Sequence, residues 1–405
     1  MKKTIYVIFY ICALLPASGC STFRAISLVK GGEALNKAKE EREVPFELRG
    51  HLILVKGKIN GADRDYTFIL DTAALTVVGE EAAKELGLAK EVEIEAKDNA
   101  GGAKKAYLTR LKNLSLGDFT VNEPAAVIFD MAKIRRMEGI NVDGIIGSNF
   151  LRFFKVKIDY QRRFVTLSGD TGHLSPVPGG YLVRFEQSMK QGFAPLVEVA
   201  SSDATFDAAI DTGLADALSL PVTLLEKVDK DGMIEGKGVM GGGAFEENGK
   251  ARLARLAGFR IGSSEFGRIM ASAAEGQKLA LIGKEFLSRF VVTLNYPVGE
   301  MLLIPIDGEK TRDNIFTAGM GIMRDEAGKT LVSGVWRGSP ADRLGIVAKD
   351  EIAAINGKAA GGYPLTELRD MLKNDDGMET IELLIRNSDG EKRLTIRKEY
   401  LFKKE

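Results

Sequence analysis

Short apolar runs at close spacing dominate the hydrophobic pattern between residues 46 and 308. The run from His51 to Ile59 is rich in β-branched residues, Asn60-Gly61 is a strong turn signal, and Tyr66 to Leu70 predicts the returning strand. Ala74 to Leu86 carries helix-forming residues instead and predicts a helix. Many short strands separated by turn residues predict an all-β, barrel-like architecture.

Two of these apolar runs end in the same way. Phe68-Ile69-Leu70 is followed by Asp71-Thr72-Ala73, and Ala208-Ala209-Ile210 is followed by Asp211-Thr212-Gly213. A buried strand that ends in a carboxylate needs an explanation, because an unpaired charge out of water is costly. Two strands that end alike in one chain indicate that the two carboxylates interact with each other.

The landmarks that follow each Asp also recur in the same order. A Gly-tipped hairpin comes first and an apolar-apolar-Gly segment comes next, and Phe154 to Tyr160 returns as Phe290 to Tyr296 at a constant offset of 136 positions. The hairpin tips are Gly101-Gly102 and Gly241-Gly242, and the apolar-apolar-Gly segments are Ile145-Ile146-Gly147 and Leu281-Ile282-Gly283. This internal repeat predicts two similar units, the first unit (residues 46–172) and the second unit (residues 177–308).

Each unit resembles a retropepsin-type aspartic peptidase subunit, and the two together resemble the bilobal arrangement of pepsin. The resemblance implies that Asp71 and Asp211 are catalytic and meet between the lobes. It implies that the Thr72 and Thr212 hydroxyls link the two loops, and that the apolar-apolar-Gly segments pack behind them. The hairpins at Gly101, Gly102, Gly241 and Gly242 would then be flaps.

Ala73 departs from the family pattern, which has Gly at this position, as Gly213 does in the second unit. Glycine lets the backbone approach its neighbours closely. A methyl group here either fits, narrows the cleft or marks a unit that no longer catalyses. An alternative for both Asp residues is that they are turn carboxylates that cap nearby backbone amides.

Paired carboxyls can hydrolyse a peptide bond without any other group. Two carboxyls about 3 Å apart cannot both ionise, so they share one proton, and one acts as base towards a water while the other acts as acid. The chain has only two His and two Cys, which leaves little material for a His-based triad or a multi-His metal site. We therefore expect neither a metal nor a cofactor, and activity at acidic to mildly acidic pH.

The amino terminus has the pattern of a secretory signal. Lys2 and Lys3 precede an apolar run, and small residues precede Cys20. Residues 1–19 resemble a bacterial lipoprotein signal, which implies lipidation of Cys20 and an anchored, periplasm-facing protein. By the same resemblance, Ser21 after the Cys implies the outer membrane. The alternative is an ordinary signal with an incidental Cys. Residues 20–45 are predicted to be a tether, compatible with a short helix from Ala34 to Glu43.

The pattern changes again in the C-terminal unit (residues 312–402). Predicted strands and two helices surround the run from Gly338 to Gly357, and the whole stretch resembles a PDZ domain. The resemblance implies that backbone amides of a loop bind the terminal carboxylate of a peptide, and that loop is Gly319, Met320, Gly321 and Ile322. It also implies that the adjoining strand edge and the second helix hold the last side chains of that peptide. The alternative is that the same fold serves only as a packing module or a lid.

Amino-acid composition restricts the candidate partners and the fold class further. Lys plus Arg equals Asp plus Glu, at 56 each, so charge gives no argument for a nucleic-acid partner. The 45 Gly favour turns and hairpins over a helical bundle. We therefore expect a mainly β fold and a membrane-anchored aspartic endopeptidase acting on peptides or unfolded protein. The alternative from another class is a catalytically inactive peptide-binding or scaffold lipoprotein of the same fold.

Overall fold

The protein is mainly β. The computed structural model describes residues 19–35, 40–99, 102–202, 204–228, 230–239, 241–242, 247–248, 251–308, 313–373 and 378–402. Most of the predicted signal segment, and the flap candidate Gly101, lie outside these residues. Within the described part of the chain, no helix is both long enough and apolar enough to cross a membrane.

The first unit and the segment before it form one sheet and contribute to another. Their helices are α1 (Gly19–Lys30), α2 (Glu80–Glu85), α3 (Ala132–Glu138) and α4 (Ser148–Leu151). Their strands are β1 (Glu33–Ala34), β2 (Arg42–Pro45), β3 (Glu47–Arg49), β4 (Leu52–Ile59), β5 (Tyr66–Leu70), β6 (Val77–Gly79), β7 (Val92–Lys97), β8 (Ala103–Arg110), β9 (Asn113–Leu116), β10 (Phe119–Asn122), β11 (Ala125–Phe129), β12 (Gly144–Ile146), β13 (Lys155–Asp159) and β14 (Phe164–Ser168).

The second unit repeats this order with fewer helical residues. Its helices are α5 (Val222–Leu225) and α6 (Lys284–Leu287), with short 3₁₀ turns at Met189–Gln191 and Tyr296–Val298. Its strands are β15 (Tyr181–Arg184), β16 (Leu196–Ser201), β17 (Ala204–Ile210), β18 (Leu218–Pro221), β19 (Lys230–Gly238), β20 (Gly241–Gly242), β21 (Glu247–Asn248), β22 (Ala251–Leu256), β23 (Arg260–Ile261), β24 (Ser264–Glu265), β25 (Ile269–Ala274), β26 (Ala280–Ile282), β27 (Phe290–Asn295) and β28 (Glu300–Pro305).

The C-terminal unit has its own apolar core, formed by strands and one longer helix. Its helices are α7 (Pro340–Arg343) and α8 (Leu365–Lys373), with a 3₁₀ turn at Ala360–Gly362. Its strands are β29 (Phe316–Thr317), β30 (Met320–Arg324), β31 (Thr330–Trp336), β32 (Glu351–Ile355), β33 (Lys358–Ala359), β34 (Thr380–Asn387), β35 (Gly390–Arg397) and β36 (Glu399–Tyr400). These elements follow the predicted order, and the assignment to the PDZ class stays a prediction.

A six-stranded sheet joins the first unit to the second. Its strand order is β15-β28-β27-β13-β14-β2, so the closing hairpin of each unit contributes two neighbouring strands. Strands β13 and β27 pair antiparallel, and Lys157 lies opposite Thr293. Because Thr293 is the counterpart of Lys157 in the repeat, 136 positions later, each copy faces the other in the register expected for an approximate two-fold relation.

The predicted helix over Ala74 to Leu86 is wrong for its first half. Only Glu80–Glu85 is helical, and Val77–Gly79 forms strand β6, which pairs parallel with β11 and antiparallel with β12. Val77 and Val78 are fully buried between these neighbours. The β-branched residues of this run fit a pleated, buried position, and this tertiary context overrides the helix preference of the residues around them.

The predicted tether over residues 20–45 is also wrong. Helix α1 buries Ala25, Leu28 and Val29 against the apolar core of the first unit. Strand β2 pairs with β14 at the edge of the six-stranded sheet, so the described part of Ala34 to Glu43 is extended where a short helix was expected. The apolar spacing of α1 therefore signals packing onto the body of the protein, and the segment is not a free spacer.

Replacing Leu28 by Ala tests this docking. We expect a loss of about 2–5 kcal/mol in the free energy of unfolding, because the change leaves a cavity under α1. Urea denaturation of the chain beginning at residue 21 measures it. Phe23→Ala on the same helix is the control, because the Phe23 side chain is 76% exposed. Equal free energies of unfolding for the two variants would support the predicted tether instead.

Candidate active site

The two Asp residues occupy equivalent positions in the two units. Asp71 directly follows β5, which pairs parallel with β12, and its N–H donates to the carbonyl of Ile146 at 3.0 Å. Asp211 directly follows β17, which pairs parallel with β26, and its N–H donates to Ile282 at 2.8 Å. The apolar-apolar-Gly segments therefore lie directly beside the Asp-bearing strands, as expected.

Thr72 and Thr212 bind the two loops to each other through reciprocal hydrogen bonds. The N–H of each donates to the hydroxyl of the other at 3.1 Å. The Thr72 hydroxyl donates to the carbonyl of Ile210 at 2.7 Å, and the Thr212 hydroxyl donates to Leu70 at 2.8 Å. Both Thr are buried, so all four bonds are shielded from water and strongly fix the separation of the loops.

Oxygens of both carboxyl groups lie close to Gly213. The N–H of Ala73 donates to Asp71 Oδ1 and the N–H of Gly213 donates to Asp211 Oδ1, both at 2.8 Å. A Cβ built on Gly213 would lie 2.7 Å from Asp71 Oδ2 and 3.2 Å from Asp211 Oδ1. One point therefore touches oxygens of both carboxyls, which leaves them within the reach of a single small molecule such as water.

Burial raises the pKa of both carboxyls. Asp71 and Asp211 are 0% and 3% exposed. Desolvation raises the pKa of Asp71 well above its usual range, and the neighbouring Asp211 charge raises it further. Desolvation also raises the pKa of Asp211 to about 7, although the Gly213 amide lowers it. The pair can therefore hold a proton at mildly acidic pH, which one carboxylate as base and one carboxyl as acid require.

Ala73 fits its loop without displacing the carboxyl beside it. Its methyl group is fully buried in a small apolar cluster with Ala194, Ala209 and Leu281 of the second unit. The corresponding methyl group on Gly213 would instead press on Asp71 Oδ2. The two loops are therefore not interchangeable, which explains why one accepts Ala while the other requires Gly.

The glycines behind the loops are in closer contact than any side chain would allow. A Cβ on Gly147 would lie 2.3 Å from the carbonyl oxygen of Ala74, and one on Gly283 would lie 2.3 Å from that of Asp216. The next amide along each chain donates to the loop, from Ser148 to Ala74 at 2.7 Å and from Lys284 to Leu214 at 2.8 Å. Both glycines therefore hold the Asp loops from behind.

Three polar residues near the site were not singled out in the sequence. The Ser148 hydroxyl donates to the carbonyl of Thr72 and lies 3.2 Å from the hydroxyl of Tyr296. Tyr160, the repeat counterpart of Tyr296, is also buried, and desolvation together with the Asp211 charge raises its pKa. The constant offset of 136 positions between Tyr160 and Tyr296 could have indicated these two residues in the sequence. No such signal indicated Ser148, because its counterpart in the repeat is Lys284.

The flap candidates take different contacts in the two units. The N–H of Gly102 donates to Asp98 Oδ1 at 2.8 Å in the turn between β7 and β8. Next to it, Asn99 Oδ1 accepts from the amides of Lys278 and Leu279 at 3.1 Å each, so this hairpin reaches the second unit. Gly241 and Gly242 form strand β20, which pairs with β21.

The predicted peptide-binding residues of the C-terminal unit lie at its β30 strand and are largely engaged internally. Met320 and Ile322 are buried in its core. The N–H of Gly319 donates to the hydroxyl of Thr317 at 3.0 Å, and its carbonyl accepts from the Trp336 amide at 2.8 Å. Gly321 pairs with Gly334 in the β30–β31 ladder.

Most of the first unit matches a known protein family. Residues 55–150 match the aspartyl protease family model. The match includes Asp71, Thr72, Ala73 and Gly147, and it ends before the second unit begins. A search of curated proteins found no match to this chain. Within the described residues, no cluster of three or more His, Cys, Asp or Glu side chains is placed to hold a metal ion.

Replacing Gly283 by Ala tests the support behind the second loop. We expect the free energy of unfolding to fall by about 1–3 kcal/mol or more, because the new methyl group meets backbone atoms that cannot rotate away. Gly147→Ala should behave alike. Gly258→Ala is the control, since nothing lies within 4 Å of its Cβ position. Thermal melts in which all three variants unfold at the same temperature would contradict this packing.

Proposed function

We propose that this protein is a membrane-anchored aspartic endopeptidase that hydrolyses peptide bonds in peptides or unfolded protein. The observation that carries the proposal is the convergence of Asp71 and Asp211 on one point, fixed by the reciprocal hydrogen bonds of Thr72 and Thr212. The aspartyl protease match over residues 55–150 supports peptidase chemistry independently, from the first unit alone.

In the proposed reaction, the carboxyl pair carries one proton between them. The ionised member takes a proton from a water held between the two, and the water oxygen attacks the peptide carbonyl carbon. The protonated member donates to the carbonyl oxygen, which gives a tetrahedral gem-diol. When the C–N bond breaks, the carboxyl that accepted the water proton donates it to the leaving amine. The other carboxylate takes a proton from a gem-diol hydroxyl as the carbonyl re-forms, so the pair again holds one shared proton.

Backbone amides and burial keep the pair ready for this role. The amides of Ala73 and Gly213 each donate to one oxygen of the preceding Asp side chain and fix its orientation. Asp71 Oδ2 is buried and receives no hydrogen bond from the described residues. This oxygen is therefore the natural site for the shared proton or for contact with water.

Substrate would lie as an extended chain between the two units. The β7–β8 and β19–β22 hairpins are the flap candidates, and such strands can bind a peptide backbone by adding it to a sheet edge. Closure of a hairpin over the peptide would exclude bulk water from the reaction. Neither step depends on a particular side chain, so we propose that the substrate class is broad.

Anchoring at Cys20 completes the proposal. Helix α1 begins at Gly19 and packs on the first unit. A lipid on Cys20 would therefore hold the first unit close to the membrane surface without a long spacer between them. We place the protein in the cell envelope, facing the periplasm.

Replacing either Asp by Asn should abolish hydrolysis. We expect Asp71→Asn and Asp211→Asn each to lower kcat/KM on an unfolded protein at pH 4 to 6 by at least about 100-fold, because each removes one partner of the acid–base pair. The matched control is Asp207→Asn, which changes an exposed carboxylate on β17, the strand that Asp211 directly follows.

Three results distinguish the proposal from the scaffold alternative. Loss of hydrolysis in both site variants, with the control active, supports the peptidase. Hydrolysis that survives in both variants contradicts it. Peptide binding that is unchanged by both substitutions, with no hydrolysis by the wild-type chain at any pH, would favour an inactive peptide-binding lipoprotein.

A further inference from the structure

The second flap hairpin, β19–β22, is hydrogen-bonded to the C-terminal unit through strand pairing. Strand β19 pairs antiparallel with β31, with Gly236 opposite Trp336 and Gly238 opposite Gly334. Beyond the ladder, the amide of Arg337 donates to the carbonyl of Glu235 at 2.8 Å. β19 therefore joins the strands of the second unit and those of the C-terminal unit into one continuous sheet, through β22 on one side and β31 on the other.

The C-terminal unit also contacts the first unit, through α8 and not through β31. Arg369 on α8 donates to Glu138 Oε2 and to the carbonyl of Met137, both at 2.7 Å. These groups lie at the C-terminal end of α3. The Leu365 Cβ lies 3.4 Å from the position a Cβ would take on Gly139. An Arg that binds a carboxylate and a carbonyl together gives a directional contact.

Helix α3 lies against the two elements predicted to hold a peptide. It packs on β30, and its C-terminal end contacts α8. These are the strand and the helix whose resemblance to a PDZ domain implies a ligand groove. The Gly319 amide is engaged by Thr317. The first unit therefore covers part of the surface that a foreign peptide would need.

The two flap hairpins are thus both connected to the opposite unit, by different means. The first hairpin reaches the second unit directly, through Asn99 and the amides of Lys278 and Leu279. The repeat counterparts of Lys278 and Leu279 are Val142 and Asp143, which closely follow α3 in the first unit. The second hairpin reaches this side of the first unit through the C-terminal unit.

The contact between the C-terminal unit and the first unit also lies near the loop that follows Asp211. Burial lowers the pKa of His51, and the charges of Glu138 and Asp216 oppose this while that of Arg369 adds to it. His51 belongs to the first unit, Arg369 to the C-terminal unit and Asp216 to the loop after Asp211. All three parts of the chain therefore meet within electrostatic reach of one another.

We propose that the C-terminal unit is the latch of the second flap, with the C-terminal end of α3 as the internal ligand of its β30–α8 face. Docking of Arg369 and Leu365 on Met137–Gly139 holds β19 in place relative to the first unit. Undocking frees β19 and opens the cleft to an extended peptide. The effect on hydrolysis rests on the proposed peptidase function, whereas the effect on the motion of β19 does not.

A reversible disulfide across the docking contact tests the latch. The separation between the Gly139 and Leu365 Cβ positions is close to the ~3.8 Å that a disulfide needs. Gly139→Cys with Leu365→Cys, in the chain beginning at residue 21, gives a protein whose oxidised and reduced forms differ only in this bond. Any strain from either Cys is common to both forms.

Two readouts are taken on this one protein. Hydrogen exchange of the β19 amides, followed by mass spectrometry, should be at least about tenfold slower in the oxidised form. Peptide hydrolysis should be at least about tenfold slower in the oxidised form and should recover on reduction. Exchange and hydrolysis that are the same in both forms would overturn the latch.

A loosening variant tests the opposite direction. Arg369→Ala should speed β19 exchange several-fold and raise kcat/KM. Arg397→Ala is the matched control, because Arg397 pairs, within the part of the chain that the structure describes, with the exposed Glu379 of its own unit. Unchanged β19 exchange in Arg369→Ala would overturn the latch whether or not the disulfide forms. If the wild-type chain hydrolyses nothing while exchange responds as expected, the peptidase proposal fails and the latch stands.

Discussion

The arrangement depends on holding two carboxyl groups at one point away from water. Asp71 and Asp211 are almost fully buried, and two ionised carboxylates there would pay for desolvation and mutual repulsion together. The Ala73 and Gly213 amides offset part of this cost, and a retained proton offsets more. The amide hydrogen bonds and the retained proton both require the two loops to keep their separation to a fraction of an ångström. The Thr72–Thr212 hydrogen bonds are therefore the constraint on which the site depends.

The rest of the fold maintains that separation at increasing distance. Gly147 and Gly283 let the backbone behind each loop approach more closely than a side chain would permit. The six-stranded sheet fixes one unit against the other through the β13–β27 pairing, where Lys157 faces its own counterpart Thr293. The first hairpin and the C-terminal unit then connect the two units a second time, on the side where the hairpins lie. The base of the site is therefore held by several independent contacts between the two units.

Local patterns in the sequence predicted the features that local physics decides. The Asp-bearing strands, the turn at Asn60-Gly61 and the repeat are visible because apolar runs, turn residues and spacing specify them. Val77 to Gly79 was misassigned because its strand forms only when β11 and β12 flank it. The docking of α1, the Ser148–Tyr296 pair and the Asn99 contact each depend on residues more than 60 positions apart, which no single-sequence pattern records.

Carboxyl titration tests the central claim most directly. Carbon-13 NMR of aspartate side chains, in the wild-type chain and in Asp211→Asn, follows Asp71 while its partner is present or absent. We expect one carboxyl of the wild-type pair to stay protonated well above the usual range of an aspartic acid. We also expect removal of Asp211 to lower the pKa of Asp71, while burial keeps it above the usual range. Two independent titrations near pH 4, unaffected by the substitution, would contradict it.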